Sequence, residues 1–390
     1  MSEWNEIRFS EIATVIMGQS PASEFYNNDG NGLPFMQGNR TFGDRYPTID
    51  TYTTQITKKV SKGSILMSVR APVGDINIAP LEMCIGRGLC AITAKDGNNE
   101  FVRYLLNYNM PKLKSSENGT TFTAINGDNI KNLKILVPDL PTQKRIAEIL
   151  SAYDDLIENN NRRIALLEKA AQELYKEWFV RFRFPGYENA KFENGLPAGW
   201  NVKRLADYGK VETGKTPSTE VLENYGCEIM FVKTPDMHGN LFTIQTGEYL
   251  SKQGHLTQPK KLLPPNSIMV SCIGTGGVVS INAEQAHTNQ QINSIILDNS
   301  MFLEWLFFTC KALKETIELF GATGATMTNL SKGKFEKLKV IEPKEELISL
   351  FHDKVFPIFD EIKALMYNNK NLAKQRDLLL PRLMSGKLEV

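Results

Sequence analysis

Residues 209–216, GKVETGKT, match the phosphate-loop pattern GxxxxGK(S/T). In such a loop backbone N–H groups cradle phosphates and the lysine neutralises them, but only where a buried strand leads in and a helix leads out. Neither flank fits. The preceding VKRLADY is not a buried-strand run, and Pro217, Ser218 and Thr219 do not continue a helix. No ATP site is expected. The polar loops are open to a different chemistry. Arginine suits guanine, and asparagine or glutamine suits adenine, at base edges in the major groove of DNA. Candidates of that kind are Gln37, Asn39, Arg40, Arg45, Arg70 and Arg87 in the first part of the chain. The second part offers Lys215, Lys233, Thr234, His238, Asn240, Asn289, Gln290 and Gln291. Taken singly, each is an ordinary solvated loop residue.

Residues 268–277, IMVSCIGTGG, carry glycines as the first motif of S-adenosylmethionine methyltransferases does. The acidic residue expected after the strand is absent, and a second β-rich run, 278–281, stands where a helix should follow, so a strand–loop–strand is expected. The order of 263–266, LPPN, does not match the methyltransferase tetrapeptide, and neither nuclease PD…(D/E)xK spacing nor HExxH occurs. The chain therefore offers no catalytic residues and no cofactor site of its own. Cys84, Cys90, Cys227, Cys272 and Cys310 form no CxxC pair and read as buried free thiols of a reducing cytoplasm. His238, His255, His287 and His352 are too dispersed to suggest a zinc site, and no metal is expected.

The elements that must position the polar loops come twice. At an offset of 196, Trp4 meets Trp200, Arg8 meets Arg204, Gly18 meets Gly214 and Pro21 meets Pro217. With small gaps, 64–68 (SILMS) meets 267–271 (SIMVS), Tyr104 meets Trp305, and 133–138 meets 338–343. Each copy mixes short apolar runs with Gly/Asn/Asp/Thr-rich turns, as an α+β domain with many strands does. Strands are expected at 63–69, 89–93, 134–137, 229–232, 267–272 and 294–297, and helices at 100–109 and 302–319. The loop at 273–276, IGTG, replaces RAPV of the first copy and is expected to differ. A Pro/Gly-rich stretch, 182–200, reads as a linker. The divisions are 1–140, 141–181, 182–343 and 344–390.

Each copy ends in a heptad run. Ile146, Leu150, Tyr153, Ile157, Asn160, Ile164, Leu167, Ala171, Leu174 and Trp178 alternate spacings of 4 and 3, as do Phe351, Val355, Ile358, Ile362, Leu365, Asn369, Leu372, Arg376, Leu379 and Leu383. Antiparallel pairing sets Asn160 opposite Asn369, where two amides can bond and fix the register. It also faces Ile146 with Leu383. Pro357 predicts a kink or a late start, with a frayed end where Phe351 faces Trp178. Arg376 falls opposite Tyr153, where it must snorkel or stack. About 33 residues make a rod of roughly 50 Å. With a like domain at each end, related by a pseudo-two-fold axis, such a rod suits half-sites about 34 Å apart.

Charge neither supports nor locates nucleic-acid binding. The formal net charge is +1, with 14 basic against 14 acidic residues in 1–140 and 15 against 16 in 186–343. The acidic start carries no signal-peptide pattern, and the most apolar stretch, 301–310, is too short for a membrane span, so no membrane contact is expected.

Several strings resemble those of type I restriction–modification specificity subunits. They are 135–150 (ILVPDLPTQKRIAEIL), 378–386 (LLLPRLMSG), the openings Gly18–Pro21 and Gly214–Pro217 after a tryptophan, and 70–75 (RAPVGD) with 84–88 (CIGRG). The resemblance covers the whole chain. It implies two duplicated β-rich target recognition domains, joined by two long helices in an antiparallel coiled coil. Each domain would read one half of a split double-stranded DNA sequence. The helices would set the gap and dock two methyltransferase subunits, which bring S-adenosylmethionine. Restriction subunits, if added, would bring ATP and Mg²⁺. A cytoplasmic protein is implied. The competing reading is a duplicated coiled-coil scaffold without DNA readout.

Overall fold

The structure is a computed structural model that describes residues 4–115, 124–321 and 328–390. It divides into two compact units, Met1–Ile157 with Asn371–Val390, and Glu158–Lys370. The cuts fall inside the long helices, because each helical segment is packed into the core of one unit.

In the first unit the central strand is Ile65–Ser68, buried at every residue, which is why it reads as an unbroken apolar run. It lies third in a four-stranded sheet ordered Ala13–Met17, Leu89–Ala94, Ile65–Ser68, Ile76–Ile78. A second sheet pairs Leu33–Met36 with Met83–Ile85 in parallel, Phe35 beside Cys84. Asn5–Arg8 closes on Lys134–Val137, whose exposed–buried alternation marks a one-sided strand. The helix Asn99–Lys114 is longer than expected. The Asn98 side chain caps its start, and Pro111 lies in its last turn. One core gathers Phe9, Ile65, Met67, Ile92, Phe101 and Leu105 with Ile146, Leu150 and Leu383 of the long helices. A smaller one on the other side of the sheet holds Met36, Leu66, Met83 and Leu89.

The second unit repeats the plan. Gly209–Thr213, Ile292–Leu297, Ile268–Ser271, Val279–Asn282 and Phe242–Thr243 follow one another in a sheet, and Met230–Val232 runs parallel to Ala286–Thr288. The phosphate-loop match is thus largely a sheet strand, and 268–282 is a strand–loop–strand. The expected helix at 302–319 is two, Leu303–Ala312 and Lys314–Gly321, because Leu313 caps the first. The linker is ordered: Phe182 and Phe184 pack on Trp200, and Phe192–Glu193 pairs with Leu196–Pro197.

The long helices are Leu140–Tyr175 and Glu345–Met384. Within the second unit Asn160 Nδ2 donates to Asn369 Oδ1 (2.8 Å), and Asn369 Nδ2 donates on to Asn161 Oδ1 (2.7 Å). Pro357 neither delays nor divides the second helix, and Phe351 is fully buried against Trp178 at 5.9 Å between ring centroids. Aromatic packing of Tyr175, Phe179 and Phe308 around that end replaces the expected fraying. Arg376 neither snorkels nor stacks. It pairs with Asp154, next to Tyr153, inside the first unit.

The two units are mounted on the helices differently. Asp154 is 7% exposed and accepts hydrogen bonds from Arg103 Nη2 and Tyr104 Oη (2.5 Å each) and from Arg376. In the second unit Tyr175, Phe307, Phe308 and Phe359 form an apolar joint, with Glu304 buried beside it and bonded to His352 Nδ1 (2.7 Å). No helix among the described residues is long and apolar enough to cross a membrane.

Candidate nucleic-acid interface

The polar loops sit on a main-chain frame that the two copies build with the same bonds. Gly18 N–H donates to Leu89 O (2.9 Å) as Gly214 N–H does to Ile292 O (3.1 Å). Gln19 donates to Ile85 O (3.0 Å) as Lys215 does to Thr288 O (2.9 Å). Gly86 to Met36 O (2.7 Å) matches Asn289 to Val232 O (3.1 Å), and Val69 to Gly88 O (2.9 Å) matches Cys272 to Gln291 O (2.7 Å). The shared glycine is steric in origin. A Cβ on Gly18 would lie 2.1 Å from Gly86 O, and one on Gly214 would lie 2.2 Å from Asn289 O.

The loop expected to differ is closed in the same way in both copies. Ser68 Oγ donates to Pro72 O (2.8 Å) and accepts from Asp75 N–H (2.9 Å). Ser271 Oγ donates to Thr275 O (2.6 Å) and accepts from Val278 N–H (2.9 Å). Gly74 and Gly277, at φ +88° and +75°, supply the left-handed turn that RAPV and IGTG both need.

In the first unit this frame brings together Gln37, Asn39, Arg40, Arg70 and Arg87. Gln37, Arg40, Arg70 and Arg87 are exposed. Ser20 Oγ donates to Gln37 Oε1 (2.7 Å) and accepts from Arg87 N–H (3.2 Å). Asn39 Nδ2 donates to Asp75 Oδ2 (2.6 Å). Arg40 pairs with Asp50 (2.6 Å), and that hydrogen bond, with one from Thr51, holds the Asp50 carboxyl below its ordinary range. A cavity of about 400 Å³ is lined by Tyr26, Phe35, Gln37, Asn39, Arg40 and Asp50. Arg45 stands apart. Its side chain is 17% exposed and pairs with Glu100 (3.2 Å) and Asp155 (2.6 Å), so it ties the domain to its helix.

In the second unit Lys215, Lys233, Thr234, Asn289, Gln290 and Gln291 converge. Thr216 Oγ1 donates to Gln290 Oε1 (2.6 Å), Asn289 Nδ2 to Gln291 Oε1 (3.1 Å), and Thr234 Oγ1 reaches Gln291 Oε1 at 3.5 Å. Lys233 pairs with Glu248. Thr234 and Asn289 are buried and serve the frame more than its surface. His238 and Asn240 are exposed on the turn after the short helix Thr234–Met237, and no bond joins them to the cluster.

Sequence reasoning missed Ser20, Asp75 and Thr216. The hydroxyl kept at Gly-x-Ser/Thr-Pro in both copies was the visible signal for two of them. Two histidines far apart in sequence do meet, His255 Nδ1 lying 3.0 Å from His287 Nε2. Burial, then the charge of His255, push His287 down to about 4, so it is a neutral ring behind the Asn289 loop. Among the described residues no group of three His, Cys, Asp or Glu is placed to hold a metal. Cys227 is exposed, whereas the other four cysteines are buried.

The duplicated loop frame defines a class of protein with two like recognition surfaces on paired helices. The profile of the type I restriction modification DNA specificity domain matches residues 1–169 and 197–355, and the chain belongs to that family. It is 30% identical to the type I restriction enzyme HindI specificity subunit of Haemophilus influenzae, over all of both chains. It is 28% identical to the MjaIX specificity subunit of Methanocaldococcus jannaschii, over all of this chain and 94% of that one. The crystal structure of the S subunit of a type I restriction–modification system from M. genitalium shares the fold. It has a TM-score of 0.60 and 16% identity over 98% of this chain and 96% of that one.

Proposed function

We propose that this chain is the non-catalytic DNA-specificity subunit of a type I restriction–modification complex, each unit reading one half of a bipartite sequence. The observation that carries this is the loop frame. One set of main-chain bonds recurs in both units and presents different polar side chains in each, as two readers of different half-sites require. In this reading the paired helices set the gap and dock two methyltransferase subunits. S-adenosylmethionine resides on those partners, and ATP and Mg²⁺ on restriction subunits where these are present. The complex works on double-stranded DNA in the cytoplasm.

The test is co-expression with the methyltransferase encoded beside this chain in a methylation-free host, followed by mapping of methylated bases. A split motif, two short half-sites around a fixed gap, is expected. Methylation at a continuous motif, or equal methylation without this chain, would refute the reading and favour a scaffold. Binding of the complex to duplex should weaken steeply with salt, because phosphate contacts release counterions. Replacing Arg40, Arg70 and Arg87 together should abolish it.

A further inference from the structure

We propose that Ser20 and Asp75 are positioning residues that fix the polarity of two neighbouring amides, so that Gln37 faces the base edges as a donor and Asn39 as an acceptor. This rests on the DNA-reading role proposed for the first unit. A side-chain amide both donates and accepts, and a free one can flip to suit either kind of base edge. Here Asn39 is held by a carboxylate, which only accepts, and Gln37 by a hydroxyl whose single proton is directed at its oxygen. The Ser20 hydroxyl oxygen already accepts from Arg87 N–H, and its proton goes to Gln37 Oε1. That leaves the Gln37 amino group turned outward. Asp75, an acceptor when ionised, takes Asn39 Nδ2 at 2.6 Å, and Pro72 O lies 3.5 Å from the same nitrogen. That leaves Asn39 Oδ1 turned outward.

The room for this arrangement is built in. A Cβ on Gly86 would lie 2.4 Å from Gln37 Oε1, and one on Gly88 would lie 2.5 Å from Gln37 O. The second copy repeats the device at the same place with a different loop. Thr216, 196 residues after Ser20, gives its proton to Gln290 Oε1.

A locked amide cannot make the two-way pair with adenine N6 and N7. Gln37 is left to read acceptors, such as guanine O6 and N7 or thymine O4, and Asn39 to read the amino groups of cytosine or adenine. The half-site read by this unit then has an acceptor-bearing base at one position and an amino-bearing base at another.

The experiment maps methylation by the assembled complex carrying Ser20→Ala, Ser20→Thr, Asp75→Asn, Gln37→Glu or Asn39→Ala. Ser20→Ala should lower discrimination at one position of one half-site on the order of tenfold, with Ser20→Thr keeping the parent motif. Asp75→Asn offers both a donor and an acceptor, so Asn39 can sit either way round and its preference should relax. Gln37→Glu, isosteric and exposed, should shift its position toward amino-bearing bases. The other half-site should stay unchanged throughout. A merely structural role predicts less methylation at an unchanged motif. If that is seen for Ser20→Ala and Asp75→Asn while Gln37→Glu or Asn39→Ala alters the motif, the polarity lock is wrong and the DNA-reading role stands. If none of the five alters the motif, both fail. Should Ser20→Ala not assemble, an unchanged motif with Gln37→Glu overturns the proposal by itself.

Discussion

Replacing Asp154 by alanine tests how the first unit is fastened to its helix. The carboxylate is almost fully buried and takes hydrogen bonds from Arg103, Tyr104 and Arg376. Removing one partner of a buried ion pair costs about 3–5 kcal/mol, since the remaining charge is stranded. Arg103 keeps Glu100 and Arg376 keeps Asp377, so the lower end, about 3 kcal/mol, applies. For a unit of this size that lowers Tm by roughly 6–12 °C. Burial pushes the Asp154 carboxyl up, but the Arg103 charge and the hydrogen bonds of Tyr104, Arg376 and Arg103 outweigh it, and its pKa is lowered. A carboxyl depressed on folding contributes stability above its unfolded value, and that contribution is lost as pH falls through the folded one. The deficit of Asp154→Ala should therefore be full at pH 7 and shrink below the ordinary value of 3.8. Calorimetric scans of parent and variant from pH 7 to pH 3 measure it. A shift under 2 °C at pH 7, or a deficit that does not change with pH, would refute the assignment of the cluster as the fastening.

Asn160→Leu should cost about 1 kcal/mol, because Asn369 keeps its bond to Asn161, whereas Asn160→Leu with Asn369→Leu should raise Tm but loosen the register. Thermal denaturation checks the first, and disulfide trapping between cysteines placed across the helices checks the second. Gly18→Ala forces a methyl into Gly86 O and should cost about 1–3 kcal/mol and blur one half-site only, seen in the methylation map. Glu304 is fully buried, and burial raises its pKa, with His352 opposing. A carboxyl raised on folding disfavours the fold as pH climbs above its unfolded value of 4.5. Glu304→Gln should accordingly raise Tm at pH 7 and leave it unchanged below pH 4, and a loss at pH 7 would show that the ionised pair with His352 stabilises.

Much of this was readable from spacing. The 4–3 heptads placed Asn160 against Asn369, and the repeated SILMS and SIMVS runs located the central strands, because periodicity is a local property. What was not readable depended on contacts distant in sequence. Arg45 has the residue type of a base reader, yet Glu100 and Asp155 claim it. Arg376 interrupts an apolar seam, and only the fold reveals Asp154 beside it. Pro357 lies in an unbroken helix with Val355 and Phe359 buried around it, which propensity alone does not anticipate. The IGTG and RAPV loops look unrelated, yet a serine hydroxyl and a left-handed glycine shape both.

The loop frame is written almost entirely in main-chain atoms. Carbonyls and amides have no alphabet: they are the same whatever side chain they carry. Substitutions at Gln37, Arg40, Arg87, Lys215 or Gln290 therefore leave untouched the bonds that hold the frame, while Gly18 and Gly214 admit no replacement without displacing a carbonyl. The two kinds of position are physically separable, since the bonds of the frame do not pass through the side chains that the loops present. One scaffold can thus carry many different loop surfaces without loss of the fold, and the two copies in this chain, alike in frame and unlike in loop side chains, are two instances of it.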